Sequence, residues 1–322
     1  MSSRVLAARP GMSQAPAPRA AAAKRERRAA WIRRVPLLPA LIFMIVVTQL
    51  PFVATLVISF MRWNALEPGN TGFTGFTNYK TVFTESALRG SVIATVVLTV
   101  SVVLVSLAIG LAIALLLNRA FVGRAFIRTI MIAPFLIVPV AAALLFKQGI
   151  YNPSYGLLNG TITGITHLFG GHSPVQPVWI QDQPKIAVEA ALIWQWTPFM
   201  MLILLAGLQS RDSEVMEAAL VDGASPWQTF RFVTFPHLRR YIELGALFGS
   251  FFILQNFDFV FTITSGGLGT ANLPYTIYQT FFSAHDYGLA SAQGVVVVAA
   301  SLIIANFALR VVSSLLREEV IR

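Results

Sequence analysis

The sequence predicts an all-α integral membrane protein with about six transmembrane helices and both termini on the cytoplasmic side. Three observations predict it. Of the residues, 56% are hydrophobic and only 12% are charged, with a mean hydropathy of +0.68, whereas a soluble domain carries about 25% charged residues. Apolar stretches of roughly 20 residues, the length that crosses a hydrocarbon core, recur along the chain. The basic residues collect at alternate ends of those stretches.

The first 34 residues are rich in Ala, Pro and Arg and end in a basic run from Lys24 to Arg34. Such a segment buries too little apolar surface to offset its ordering entropy, so 1–34 reads as a disordered cytoplasmic tail. The apolar run that follows is too long for a signal-peptide core and lacks a small-residue cleavage site, which predicts an uncleaved anchor. The expected permeation domain occupies 35–316, and 317–322 is a short cytoplasmic tail. The expected spans are Pro36–Phe60, Ser91–Leu117, Ile127–Phe146, Ile186–Leu208, Ile242–Ile263 and Leu289–Leu309. Pro51, Pro134, Pro139 and Pro198 are compatible with them, because neighbouring helices can satisfy the freed carbonyls.

Charge sets the direction. Of the 24 Lys and Arg residues, only Arg62, Lys80, Arg89, Lys147 and Lys185 fall in the odd-numbered connections, and 264–288 has none. The positive-inside rule places the tail, the second and fourth connections and the C-terminus in the cytoplasm.

A net charge of +10 distributed in this way predicts no nucleic-acid partner, because no basic helix face or aromatic ladder accompanies it. The chain has no cysteine, which excludes disulfides and thiolate sites. No Gly-x-x-x-x-Gly-Lys-Ser/Thr loop is present, so no ATP site is expected here. No nucleophile–base pair or His-Glu-x-x-His run is present, and His167, His172, His237 and His285 are scattered in loops, so neither an enzyme nor a metal site is expected.

The fourth connection, 209–240, carries the strongest local signals. Asp212 is placed to cap a helix, with Glu214 and Glu217 in its opening turns. Gly223 falls where a left-handed residue would end that helix. Ser225, Pro226 and Gln228 form a capping box with proline at the first helical position, and Pro236 is expected to close the second helix. The pair would present Met216, Leu220, Trp227, Phe230 and Phe232 between charges. That pattern suits a lipid-facing amphipathic helix or docking into a protein cleft.

Glu217-Ala218-Ala219, Gly223 and Val233-Thr234-Phe235-Pro236, at this spacing, resemble the EAA loop of the permease subunits of binding-protein-dependent ABC importers. Val233 and Phe235 stand where the family usually has Ile and Leu. Asn118-Arg119, Phe257-Asp258, Thr264-Ser265-Gly266-Gly267 and Gly288-Leu289-Ala290 extend the resemblance to the sugar-uptake class. Met131–Phe135 and Trp194-Gln195-Trp196 are similar to polyol (mannitol or sorbitol) permeases.

The resemblance implies a type I importer permease fold of the maltose type in a bacterial inner membrane. It implies a second permease subunit, two ATPase subunits that hold the ATP and Mg, and an extracytoplasmic solute-binding protein. It also implies an ATPase-coupling set of Glu217, Ala218, Ala219, Asp222, Gly223, Trp227, Phe230 and Pro236. In that set Glu217 would pair with a basic residue of the ATPase, and Trp227 and Phe230 would fill the apolar part of its groove.

Polar residues inside spans are costly and usually face a bundle interior or an aqueous path. Trp194, Gln195 and Thr197 in the fourth span are such candidates, and so are Gln255, Asn256 and Asp258 in the fifth, where Gln255, Asp258 and Thr262 would share one helical face. They are expected either to line a substrate path or to join helices. A gradient-driven carrier is the competing class, and it would normally show several coupling charges near the midplane. Within the expected spans the carboxylates are Asp258 and Glu189, with Glu243 at the very start of the fifth.

Overall fold

A computed structural model describes residues 35–170, 173–174 and 176–320; the 1–34 tail and residues 321–322 lie outside them. The chain divides into two units, 1–54 and 55–322. Helix α1, Leu38–Ile58, begins in the first unit and contains Pro51. Among the helices that follow are α2 (Ser86–Leu117), α3 (Arg124–Leu136), α4 (Pro139–Leu144), α5 (Pro184–Gln209), α6 (Ser213–Val221), α7 (Pro226–Thr229), α8 (Phe235–Leu254) and α9 (Tyr287–Val320).

Four described helices are long and apolar enough to cross a membrane: α1, α2, α5 and the Tyr287–Ile304 part of α9; the α3–α4 pair makes a fifth if it is counted as one span.

The core of the second unit is the packing of α2, α5 and α8. Along α2 the buried positions Ser91, Thr95, Leu98, Val102, Ser106, Gly110, Ala114 and Leu117 recur every three or four residues, one face of a helix. Small residues bring the backbones together. A β-carbon at Gly110 would lie 2.9 Å from both Met200 Cβ and the Met201 backbone nitrogen, and one at Gly249 of α8 would meet Met200 Cε. In lipid, where apolar side chains gain little by leaving their solvent, such close approach supplies much of the helix–helix attraction.

Two expectations are corrected. The third span, expected over Ile127–Phe146, is broken, with α3 and the segment Pro139–Ile150 meeting at 95°. Pro139 lacks an N–H and forces Val138 (ψ 133°) into extended conformation, so the helix cannot run through. The fifth span, expected over Ile242–Ile263, ends at Leu254, and only a short π-helical turn, Val260–Thr264, resumes it. No proline or glycine marks this break. Its cause is distant in sequence: the Asn272 side chain donates to the Asn256 carbonyl (2.5 Å) and accepts from Tyr275 N (3.2 Å). The last helix runs to Val320.

On the outer side, β1 (Met61–Arg62) and β2 (Gly72–Phe73) pair antiparallel, and Asn78 Nδ2 donates to the Ser59 and Met61 carbonyls (both 2.9 Å). The helix Leu273–Tyr278 is tied to α2 where Thr95 Oγ1 accepts from Leu273 N (2.7 Å) and Thr276 Oγ1 donates to Ser91 Oγ (2.8 Å).

Candidate functional site

The 209–240 segment folds as two short helices joined at a right-handed-to-left-handed switch. Asp212 accepts from Glu214 N (3.0 Å) at the start of α6. At its end Gly223 has φ +75°, Gly223 N donates to Leu220 O (3.1 Å) and Ala224 N donates to Ala219 O (3.0 Å). These two bonds form a Schellman motif, which requires φ > 0 at the residue after the C-cap. The capping box at α7 is present in both directions, with Ser225 N donating to Gln228 Oε1 (2.7 Å) and Gln228 N donating to Ser225 Oγ (3.3 Å).

Pro236 does not close the second helix as expected. From Pro226 the chain passes through a π-helical stretch, Phe230–Thr234, directly into α8, and Pro236 lies in the first turn of α8, a position that tolerates proline. The loop is therefore mechanically continuous with α8, a helix of the core.

Both ends of this element are clamped to the last turn of α5. Arg211 donates through Nε to Leu208 O (3.2 Å) and through Nη1 to Thr234 Oγ1 (2.6 Å) and Met216 Sδ (3.3 Å). Ser210 Oγ lies 2.7 Å from the Tyr241 hydroxyl, and His237 Nε2 lies 3.0 Å from Gly207 O. Burial lowers the Arg211 guanidinium below its ordinary value. Burial also lowers His237, against the Gly207 hydrogen bond and together with the charges of Arg240 and Arg211. A carbonyl only accepts, so the contact with Gly207 O calls for a proton on His237 Nε2. Sequence reasoning missed this clamp because its partners lie 23 to 31 residues apart. The one local sign was a basic residue just past a helix C-terminus, at Arg211.

Beyond the clamp the surface is open. Glu217, Ala218, Asp222 and Gly223 are exposed, Ala219 and Phe230 are half-buried, and Pro236 is exposed. Leu220, Val221, Trp227 and Phe232 are exposed by 67%, 87%, 68% and 70%, a concentration of large apolar groups that a polar loop would not carry without a partner. Trp227 and Phe230 stack at 5.7 Å.

The mid-membrane candidates divide. Gln195 is buried, and its amide donates to Ile137 O (3.0 Å), the carbonyl exposed where the third span breaks. Thr197 is buried and donates to Ile193 O of its own helix (2.6 Å). Trp194 packs against Phe146 at 5.2 Å. The contacts of these three residues are thus with the helix break, their own helix and a neighbouring ring. Replacing Gln195 with Leu leaves a buried carbonyl unpaired and is expected to cost about 1–3 kcal/mol, read as a lowered melting temperature in detergent. An unchanged melting temperature would show that the amide contributes nothing at the break.

Gln255, Asp258 and Thr262 do not share one helical face as expected, because all three lie beyond the end of α8 at Leu254. Gln255 is exposed, Asp258 is half-buried, and Asn256 Oδ1 is buried without a partner. Phe257, Phe261 and Tyr278 cluster beside them with ring centroids 5.0–5.4 Å apart. None of the six candidates lines the cavity of about 380 Å³ between the outer ends of α2 and α5, whose walls include Ser91, Leu98, Lys185, Glu189, Val260 and Thr270. In that wall Glu189 accepts from Ser101 Oγ (2.9 Å). Among the described residues no group of acidic or histidine side chains is arranged to hold a metal ion.

Residues 106–318 match a family described as binding-protein-dependent transport system inner membrane component. The chain is 35% identical over 283 residues to a probable ABC transporter permease protein of Sinorhizobium fredii, covering 85% of this chain and 88% of that one. It is 31% identical over 269 residues to the trehalose/maltose transport system permease protein MalF of Thermococcus litoralis (83% and 88% covered). It is 30% identical over 268 residues to the trehalose transport system permease protein SugA of Mycobacterium tuberculosis (83% and 84% covered). The fold is shared with a crystal structure of a bacterial ABC transporter involved in the import of alginate, with a TM-score of 0.73, 21% identity, and 89% and 96% of the two chains covered. The chain therefore belongs to the family of binding-protein-dependent transport system inner membrane components, and it is a multi-pass inner-membrane permease of an ABC importer.

Proposed function

We propose that this permease moves a sugar or sugar alcohol inward, and that residues 209–240 seat on separate ATPase subunits, which hold the ATP and Mg. A second permease and an extracytoplasmic binding protein complete the assembly. The observation that carries the coupling reading is a doubly capped helix pair clamped to α5 and continuous with α8, yet exposing Leu220, Val221, Trp227 and Phe232. An element fixed at its base and apolar at its tip suits the transfer of a displacement, because packed interfaces switch between discrete arrangements and do not yield gradually.

In this reading Glu217 pairs with a basic group of the ATPase, with Ala218, Ala219 and Asp222 beside it. Trp227 and Phe230 enter the apolar part of the groove. The carbohydrate class is supported by the names of the trehalose/maltose and trehalose permeases to which the chain is similar.

Gln255, Asn256 and Asp258 form the substrate contact in this reading. They combine an exposed amide, an unpartnered buried carbonyl oxygen and a carboxylate beside an aromatic cluster. Such groups match the hydroxyls and ring faces of a polyhydroxylated solute.

The test is uptake of labelled mannitol, sorbitol and a disaccharide by the complete reconstituted transporter, with ATPase co-purification of wild type and Trp227→Asp. The expected result is ATP- and binding-protein-dependent uptake of at least one label, and loss of ATPase recovery in the variant. Uptake that ignores ATP and collapses with an ionophore would overturn the reading.

A further inference from the structure

At the cytoplasmic end of the second unit, α2 finishes at Leu117, α3 begins at Arg124 and α5 finishes at Gln209. Arg124 and Arg128, one turn apart on α3, both turn toward this corner. Arg128 Nη2 donates to Leu117 O (3.3 Å). With its amide oxygen turned to face them, Gln209 accepts from Nη2 of Arg124 (3.0 Å) and of Arg128 (2.5 Å). Two guanidinium groups thus share one neutral acceptor, and among the described residues neither forms an ion pair, the single pair being Arg239–Glu243. Nε of each arginine is buried with no hydrogen-bond partner. Like charges converging on one amide repel each other, and both sit in the opening turns of α3, where the helix dipole disfavours cations. The carbonyl ends of α2 and α5 offset part of this, but they leave guanidinium donors unused.

The surroundings point to what fills the deficit. Phe121, Val122 and Phe126 are exposed by 41%, 101% and 69%, and Arg119 is exposed beside them. A basic cluster interleaved with exposed aromatic and aliphatic side chains at a membrane boundary matches the acyl–headgroup border of a lipid leaflet. The positive-inside distribution puts this corner in the cytoplasmic leaflet, where anionic lipids lie.

We propose that Arg124 and Arg128 bind the phosphate of an anionic phospholipid of the cytoplasmic leaflet, with Phe121, Val122 and Phe126 in contact with its acyl region. A phosphodiester accepts several charge-assisted hydrogen bonds at once, which one amide oxygen cannot do. The site is independent of the cargo and of the ATPase contact. It lies where α2, α3 and α5 meet at the base of the 209–240 element, so an occupied site braces that base.

The experiment uses the delipidated full transporter in detergent, titrated with phosphatidylglycerol, phosphatidylcholine or inorganic phosphate, with melting temperature and lipid retention by native mass spectrometry as readouts. Wild type is expected to gain stability with phosphatidylglycerol alone and to retain it. Arg124→Gln with Arg128→Gln is expected to weaken retention about tenfold or more, since each basic side chain near the surface contributes on the order of a factor of five. Arg89→Gln, which alters an exposed basic residue at the opposite end of α2, should respond like wild type.

Should the glutamine pair fail to assemble, Arg124→Lys with Arg128→Lys keeps the charge without the forked donors and should retain phosphatidylglycerol more weakly than wild type. Equal stabilisation by phosphatidylcholine, stabilisation by inorganic phosphate without lipid retention, or undiminished retention in the charge-neutral or lysine pair would overturn the proposal. So would loss of ATPase recovery in the glutamine pair with no change in lipid retention, because that outcome assigns the arginines to an acidic group of the ATPase.

Discussion

Replacing Gly110 with Leu is expected to abolish the folded permease. A β-carbon there would stand 2.9 Å from Met200 Cβ and from the Met201 backbone nitrogen, and backbone atoms cannot swing aside as a side-chain tip can. α2 and α5 would have to separate along their shared face, which carries the buried Val103, Leu107, Ala191, Leu192, Met201 and Leu204. Overpacking a tight core costs about 1–3 kcal/mol and more where the backbone must move, and marginal stability leaves little margin for that.

The check is the amount of folded, monodisperse chain recovered from membranes. Gly294→Ala serves as the control, because nothing lies within 4 Å of a β-carbon at that position of α9. Alanine in a helix interior is favoured over glycine by about 0.5–1 kcal/mol, so the control should be recovered at wild-type levels or better. Normal recovery of Gly110→Leu would mean that the close α2–α5 approach is not required.

The second large effect is expected at Gly223, and it should separate assembly from transport. Space is open around this residue, with nothing within 4 Å of a β-carbon, but its φ of +75° is unfavourable for other side chains. Strain of about 1–3 kcal/mol confined to one turn leaves the membrane core untouched and disturbs the angle between α6 and α7. Gly223→Val is therefore expected to insert and purify normally while losing most ATP-dependent uptake. Gly223→Asn should keep most of it, since Asn tolerates the left-handed region. The measurement is initial uptake rate per assembled transporter for the two variants. Equal rates for Val and Asn would show that backbone geometry at this turn does not matter for coupling.

The two positions differ in how they could be read. Gly223 was legible from the sequence because the requirement is local: Asp212, Glu214, Gly223, Ser225, Pro226 and Gln228 act on backbone groups within a few residues of themselves, so their spacing alone specifies the caps. Gly110 carries no such signal, and only the position of Met200 and Met201 on another helix makes it special. Gln195 shows the same limit. The sequence marked it as a costly polar group in a span, but whether it faced a solute or a helix break depended on where Ile137 fell.

The sequence by itself determined which stretches are apolar enough for lipid, which ends face the cytoplasm and where the short helices of 209–240 start and turn, because hydropathy, charge placement and capping act over one span or one turn. Only the tertiary structure decided that α8 stops at Leu254 and that α7 flows on into α8 past Pro236. It also decided that Arg211 joins three elements and that Arg124 and Arg128 meet over Gln209. Each of these rests on a hydrogen bond or close approach between residues brought together only by helix packing, which no local pattern of residues encodes.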